Sequence, residues 1–371
     1  MTRVSRFLTE HAAGLPATVP FTGPEALERA RGRAFKARLG ANESGFGPAP
    51  SVLEAMREAI HGNWMYADPE SYELRAAIAT HHSVGANNVV VGEGIDGLLG
   101  LTCALYLAPG ETVVTSDGAY PTFNYHVAGH GGRLVKVSYR DDQEDLGALL
   151  DAVRKERAKI LYVSNPDNPM GSWWRAEDLA NLMADLPDET LLLLDEAYCE
   201  TAPAGTLPPI DTGNPQVLRY RTFSKAYGMA GARIGYCVGG EDLIGPFDKV
   251  RNHYGINRLG QVAALAALKD QDYLAEAVAK IAACRGRISQ IAAENGLEAL
   301  PSATNFVAID CGRDADYARR ILEETLARDV FIRMPGIAPL NRCIRVSTGL
   351  GAEIELFAAA LPEAINAAEN R

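Results

Sequence analysis

From Asn88 onward the chain alternates short apolar runs with longer amphipathic ones. NVVVGEG, ETVVTSD, RLVKVSY, KILYVSN, TLLLLDEAY and VLRYRTFSK read as strands. IDGLLGLTCALYLA, YPTFNYHVAGHGG, DLGALLDAVRKER and EDLANLMADL between them read as helices. Such alternation predicts an α/β fold with a mostly parallel central sheet flanked by helices, and ligands at the carboxyl ends of its strands. Upstream, PSVLEAMREAI and PESYELRAAIATHH carry helical periodicity. The first forty residues read as an arm with one helix, Pro24 to Ala34, entering the loop LGANESGFGPAP.

After Tyr236 the pattern changes to long helices, EDLIGPFDKVRNHYG, LGQVAALAALKD and DYLAEAVAKIAACRGRISQIAAENG. A smaller α+β unit follows, with strands at TNFVAID, VFIRM and CIRVST and helices at DADYARRILEETLARD and GAEIELFAAALPEAINAAE. The expected division is a large domain over about 40–270 and a small domain made of 1–39, the arm, with 271–371.

Composition narrows the function without naming it. The 371 residues are 47% hydrophobic and 22% charged, an ordinary globular balance. A formal charge of −11 argues against a general nucleic-acid or acidic-membrane surface. The six cysteines are scattered, with no CxxC pair and no histidine cluster at metal spacing, so they are expected to be reduced core residues and no metal is expected. No signal-like N-terminus or membrane-spanning run is apparent, which makes the cytoplasm the expected compartment.

Candidate chemistry sits where predicted strands end. In RTFSKAYGMAGARIGY, Lys225 stands among small residues, with the hydroxyls of Thr222 and Ser224 before it and Arg233 after it. A lysine in an apolar, glycine-containing segment suits Schiff-base chemistry, and Arg233 suits an anionic phosphate. A surface lysine beside a strand starting at Ala232 is the plainer alternative. The run VVVGEGIDGLLG contains Gly92, Gly94 and Gly97 as GxGxxG, with Asp117 further on. That resembles a dinucleotide fingerprint, but the helix N-terminus would hold the phosphate of another coenzyme equally well. Tyr120 offers a platform for a flat ring, Asn168 in NPDNPMG an amide, and Asp195 a carboxylate at the end of four leucines, costly to bury without a cation.

Together these segments resemble the fold-type I pyridoxal-phosphate enzymes of the class I/II aminotransferase group. YADP with Tyr66, NPDNPMG, DEAY and SKAYGMAGARIGY occur in that family's order. The resemblance implies pyridoxal 5'-phosphate as cofactor, with Lys225 as its Schiff-base lysine and proton carrier and Asp195 paired with the pyridinium nitrogen. Tyr198 and Asn168 would hold the ring hydroxyl, and Tyr120 would stack on the ring. The backbone N–H groups of Ile95 and Asp96, with Thr222, Ser224 and Arg233, would cradle the phosphate. Tyr66 would reach the phosphate of a neighbouring subunit, which implies a homodimer with shared active sites.

Within the group, GANESGFGP, FIRM and CIRVSTG are similar to segments of the histidinol-phosphate aminotransferases. That likeness implies a small-molecule amino donor, an amino acid or amino alcohol phosphate with histidinol phosphate leading, a 2-oxo acid such as 2-oxoglutarate as acceptor, and substrate contacts from Asn42, Tyr254, Arg333 and Arg345. Three positions depart from the subgroup: Phe21 where a tyrosine would help hold the substrate phosphate, Ser44 for an asparagine, and Met170 for a threonine. Losing the hydroxyl at Phe21 costs about 1.5–3 kcal/mol toward a charged group, which favours a carboxylate-bearing donor over a phosphate ester. The alternatives are a threonine-phosphate-like decarboxylase with the same cofactor and a non-catalytic cofactor-binding regulator.

Overall fold

The computed structural model describes residues 5–17 and 21–370. Its strands, in chain order, are β1 (Ala37–Arg38), β2 (Val89–Gly92), β3 (Thr112–Ser116), β4 (Arg133–Val137), β5 (Ile160–Ser164), β6 (Leu191–Asp195), β7 (Val217–Thr222), β8 (Gly235–Val238), β9 (Glu298–Ala299), β10 (Phe306–Asp310), β11 (Val330–Phe331) and β12 (Cys343–Ser347). Seven of them form one sheet in the order β2-β8-β7-β6-β5-β3-β4, in which only β8 runs antiparallel to its neighbours. The α/β expectation, mostly parallel and helix-flanked, describes this sheet.

The reason the central strands are so rich in apolar residues is visible in where alternate residues go. Leu193, Tyr162, Val113 and Tyr220 pack on one side, with Leu98, Leu99 and Phe123 from the helices Gly94–Tyr106 and Pro121–Gly129. Leu192, Leu194, Leu161, Val163 and Val114 pack on the other, with helices Leu146–Glu156 and Ala176–Ala184. Both faces are covered, so both sets of alternating side chains are mostly apolar, and the arginines of β7, Arg219 and Arg221, are paired with Glu196. Helices Pro50–Ala59, Tyr72–His82 and Arg258–Lys269 close the β2–β8 end over Val89, Val91, Tyr236 and Val238.

A separate apolar cluster gathers β1, β10, β11 and β12 under helices Gln271–Glu294, Ala315–Ala327 and Gly351–Glu369. Its strands form two small sheets, β12-β10-β9 and β1-β11. β1, just before the Asn42 loop, pairs in parallel with β11, so the chain's first strand is held by its last third.

Several sequence expectations differ in detail. EDLIGPFDKVRNHYG is not one helix: the α-helix stops after Glu241–Ile244 and a 3-10 stretch covers Gly245–Lys249. Gly245 and Pro246 explain this, since glycine costs about 1 kcal/mol in a helix and proline removes an N–H donor. VFIRM is strand only at Val330–Phe331, and Arg333 joins Arg345 through an isolated bridge. No strand starts at Ala232, where a 3-10 turn precedes β8. The arm carries, besides Pro24–Arg31, a short helix Glu10–Gly14 capped by the Thr9 hydroxyl.

One close approach fixes the loop after β7. Gly228 has φ +69° and lies so near the Gly47 carbonyl that a Cβ there would sit 2.3 Å from the oxygen. Gly228→Ala should therefore lower stability by roughly 1–3 kcal/mol, read as a drop in the thermal unfolding midpoint. An unchanged midpoint would show that the two loops separate freely.

Candidate active site

β5, β6 and β7 are parallel neighbours, so their last residues meet at one edge: Ser164 stands opposite Asp195 in register, and Thr222 ends the next strand. A cavity of about 360 Å³ opens there, lined by Ile95, Asp96, Tyr120, Asn168, Asp195, Tyr198, Thr222, Ser224, Lys225 and Arg233, together with Ala41 and Glu43. Ten residues expected from the sequence thus converge from five separate segments.

Lys225 stands half-buried in this cavity, its Nζ 3.3 Å from the Asn42 carbonyl oxygen and 5.6 Å from the centre of the Tyr198 ring. Burial, then the Arg345 charge, push its amine down to about 8, against the attraction of Asp195. Asp195 accepts from the Tyr162 hydroxyl at 2.6 Å and from the Ala197 N–H at 2.9 Å. Burial raises its carboxyl above the ordinary value despite both bonds. Tyr162, itself stacked on Phe123, reads in sequence as a core aromatic, and nothing there marks its hydroxyl as the support of Asp195.

At one end the cavity offers donors for a phosphate. The helix Gly94–Tyr106 begins here, leaving the N–H groups of its first turn without intrahelical acceptors. Gly94 has φ +77°, and a Cβ on it would fall 2.6 Å from Arg233 Nη2. The space between helix terminus and guanidinium therefore exists only because residue 94 is glycine. Thr222 and Ser224 are buried, and their hydroxyls bond each other at 2.9 Å. Of the dinucleotide-like pattern, the glycine turn at Gly94 reaches this cavity but Asp117 does not; Asp117 accepts from Ser138 instead.

Tyr120 caps the helix Pro121–Gly129 and stacks on Phe21 of the arm, centroids 5.9 Å apart. Arg333 lies 5.6 Å over the same Phe21 ring and donates to the Thr22 carbonyl at 2.8 Å. Arg345 donates to Asn168 Oδ1 at 2.6 Å, and its buried Nε has no partner. Burial lowers its guanidinium to about 10. A buried cation whose Nε donor is unused, and whose hydrogen-bonded partner is a neutral amide, suits an anion.

Asn42, expected to touch substrate, has its polar atoms committed elsewhere. Its Nδ2 donates to the Tyr198 hydroxyl at 3.0 Å, and its Oδ1 accepts from Ser347 at 3.0 Å. Its N–H goes to Ser347 and its carbonyl receives Lys225 and Asn305. With φ +55°, this residue orients Lys225 and Tyr198 rather than offering free donors. Tyr66 and Tyr254 are not in the cavity; they are 78% and 55% exposed and pack on each other with centroids 4.7 Å apart.

The donor set fits pyridoxal phosphate: an amine of lowered pKa, a buried carboxylate for a ring nitrogen, an aromatic platform, and a glycine-made phosphate cradle. The comparisons agree. The model of the aminotransferase class I and II family matches residues 36–361. Histidinol-phosphate aminotransferase 1 of Mesorhizobium japonicum is 36% identical over 334 residues, covering 88% of this chain and 90% of that protein. The histidinol-phosphate aminotransferase of Moorella thermoacetica is 31% identical, covering 93% and 89%. The crystal structure of histidinol-phosphate aminotransferase from Sinorhizobium meliloti, in complex with pyridoxal-5'-phosphate, is 58% identical with a TM-score of 0.94, over 97% of this chain and 98% of that one. A family model spanning most of the chain, and relatives matched along nearly their whole length, place this protein among the class I and II aminotransferases.

Proposed function

We propose that this pyridoxal-phosphate-dependent aminotransferase takes its amino group from histidinol phosphate and passes it to a 2-oxo acid, 2-oxoglutarate being the expected acceptor. The observation that carries the reading is Arg345, a buried guanidinium that donates to the cavity-lining Asn168 and has an unpartnered Nε. The named relatives support the choice of donor. Histidinol phosphate has no carboxyl group to lose, so with this donor the chemistry is transfer and not decarboxylation.

The residue roles are those the family resemblance implies, and the positions of the side chains support them. When bound, pyridoxal phosphate supplies an electron sink that acidifies the substrate Cα–H bond. Lys225 would attach the cofactor and, once displaced by the incoming amine, would accept that proton at Nζ and return it to the carbon on the far side of the transferred nitrogen. Its amine must be neutral for both tasks, which burial beside two arginines favours. Asp195, held by Tyr162, would keep the ring nitrogen protonated. Tyr198 and Asn168 would hold the ring hydroxyl, and Tyr120 would support the ring face. Arg233, Thr222, Ser224 and the N–H groups of Ile95 and Asp96 would take the cofactor phosphate. Arg345, with Arg333 beside it, would grip the anionic end of each substrate in turn.

The paired, exposed Tyr66 and Tyr254 fit a homodimer in which each reaches the partner subunit's site; a monomer in sedimentation velocity would remove this reading. The division into a cofactor-binding unit over about 40–270 and a small unit of 1–39 with 271–371 is supported by the separate cluster of residues under β10 and β12. Six free cysteines favour the cytoplasm, and among the described residues no helix is long and apolar enough to cross a membrane.

Two outcomes are expected. Phe21→Tyr should lower KM for histidinol phosphate by about tenfold, the worth of one charge-assisted hydrogen bond, while leaving KM for amino acids without a phosphate unchanged. If wild type turns over only carboxylate-bearing donors in steady-state assays, histidinol phosphate is the wrong substrate. For Lys225, the rate at which apoenzyme takes up pyridoxal phosphate should rise with pH and level off above about 8, where the amine is neutral. A midpoint near the ordinary lysine value of 10.5 would show that the amine is not perturbed.

A further inference from the structure

Two buried carboxyl groups adjoin the Asn168 turn and have no role in the steps above. Glu144 is 1% exposed and Asp167 is 2% exposed. Their hydrogen-bond partners are all neutral. Glu144 accepts from the Ser116 hydroxyl at 2.6 Å and the Ser164 N–H at 3.1 Å. Asp167 accepts from the Tyr139 hydroxyl at 2.7 Å and the Met170 N–H at 3.0 Å. Two ionised carboxylates enclosed together without a paired cation are costly, and the cost falls sharply when one is protonated.

The hydroxyls connect the two acids. Ser116 Oγ lies 3.4 Å from Tyr139 Oη, which completes a chain Glu144–Ser116–Tyr139–Asp167. Every link is satisfied in either direction. With the proton on Glu144, Glu144 donates to Ser116, Ser116 to Tyr139, and Tyr139 to an ionised Asp167. With the proton on Asp167, each donor turns round and Glu144 carries the charge. The groups facing Asp167 are Tyr139, Glu144 and Arg345; those facing Glu144 are Asp167, Asp195, Tyr139 and Tyr162. Burial pushes both acids up, Asp167 to about 7 and Glu144 well above its ordinary value.

We propose that Glu144 and Asp167 share one proton through Ser116 and Tyr139, and that it passes from Glu144 to Asp167 when a substrate anion docks on Arg345. This rests on Arg345 as the anion anchor. In the resting enzyme the Asp167 charge offsets the buried guanidinium, which has no carboxylate of its own. An arriving anion takes over that task and repels the Asp167 charge. Transfer of one proton along the chain, each hydroxyl accepting one and giving one, moves the charge back to Glu144. Glu144 and Asp167 are thus positioning residues that tune Arg345 without touching substrate.

The test is infrared difference spectroscopy of the cofactor-loaded enzyme with and without maleate, a dicarboxylate that does not react, with 13C in the carboxyl group of either glutamate or aspartate. Loss of a protonated glutamic-acid stretch and gain of a protonated aspartic-acid stretch on binding are expected. Maleate affinity, read from the cofactor absorbance, should change in opposite directions in two variants. Glu144→Gln leaves a fixed charge at Asp167 and should weaken binding, whereas Asp167→Asn removes it and should tighten binding, each on the order of tenfold. A purely structural role would weaken both, and that result, or a silent carboxyl region while maleate binds, overturns the proposal. The resting spectrum decides separately from the anchor. A protonated glutamic-acid stretch that Glu144→Gln abolishes supports the shared proton, and its absence from wild type refutes it even if a variant folds poorly. Failure of maleate to bind at all counts instead against Arg345 as anchor.

Discussion

The burial of the Lys225 amine at the end of β5, β6 and β7 is what the rest of the site depends on. Lys225 and Arg233 line the cavity with Asp195, Asp96 and Glu43, and the Arg345 charge acts on Lys225 from beside it. An ammonium is costly to keep in a partly buried space, so burial favours the neutral amine. Burial is the largest cause lowering both the Lys225 amine and the Arg345 guanidinium, and neighbouring arginine charges add to it. A cofactor phosphate and an anionic substrate group would meet those same arginines. Anion binding and activation of the lysine therefore draw on shared charges.

The fold converts this into geometry by bringing together segments that are far apart in the chain. β1 and its following loop carry Asn42 from the N-terminal side onto Ser347 at the end of β12, and Asn42 in turn holds Tyr198 and receives Lys225. A substitution at Asn42 would loosen two sheets and the reactive amine at once. Phe21, from the arm, closes the other side between Tyr120 and Arg333. The arm thus sets an apolar ring against the cavity-lining Tyr120.

Much of the site was legible because its chemistry stands at strand ends. A carboxylate after four leucines and a lysine after VLRYRTFS need only the alternation of strands and helices to be placed on one edge. The strand order was not legible, because β8 enters the sheet between β2 and β7 and reverses direction, which no local pattern dictates. Tyr162 and Tyr139 were missed for a different reason: an aromatic in an apolar run looks like packing, and only three-dimensional contact gives its hydroxyl a partner. Asn42 was located correctly in its loop, but its bonds to Tyr198 and Ser347 depend on residues far along the chain.

The most direct measurement is a single-turnover experiment in which cofactor-loaded enzyme is mixed with histidinol phosphate in the absence of any 2-oxo acid. The visible absorbance of the bound cofactor should bleach in one turnover and return when 2-oxoglutarate is added. A band that histidinol phosphate leaves untouched, and that an amino acid bearing a carboxylate bleaches, would contradict the proposed donor while leaving the cofactor chemistry of Lys225 in place.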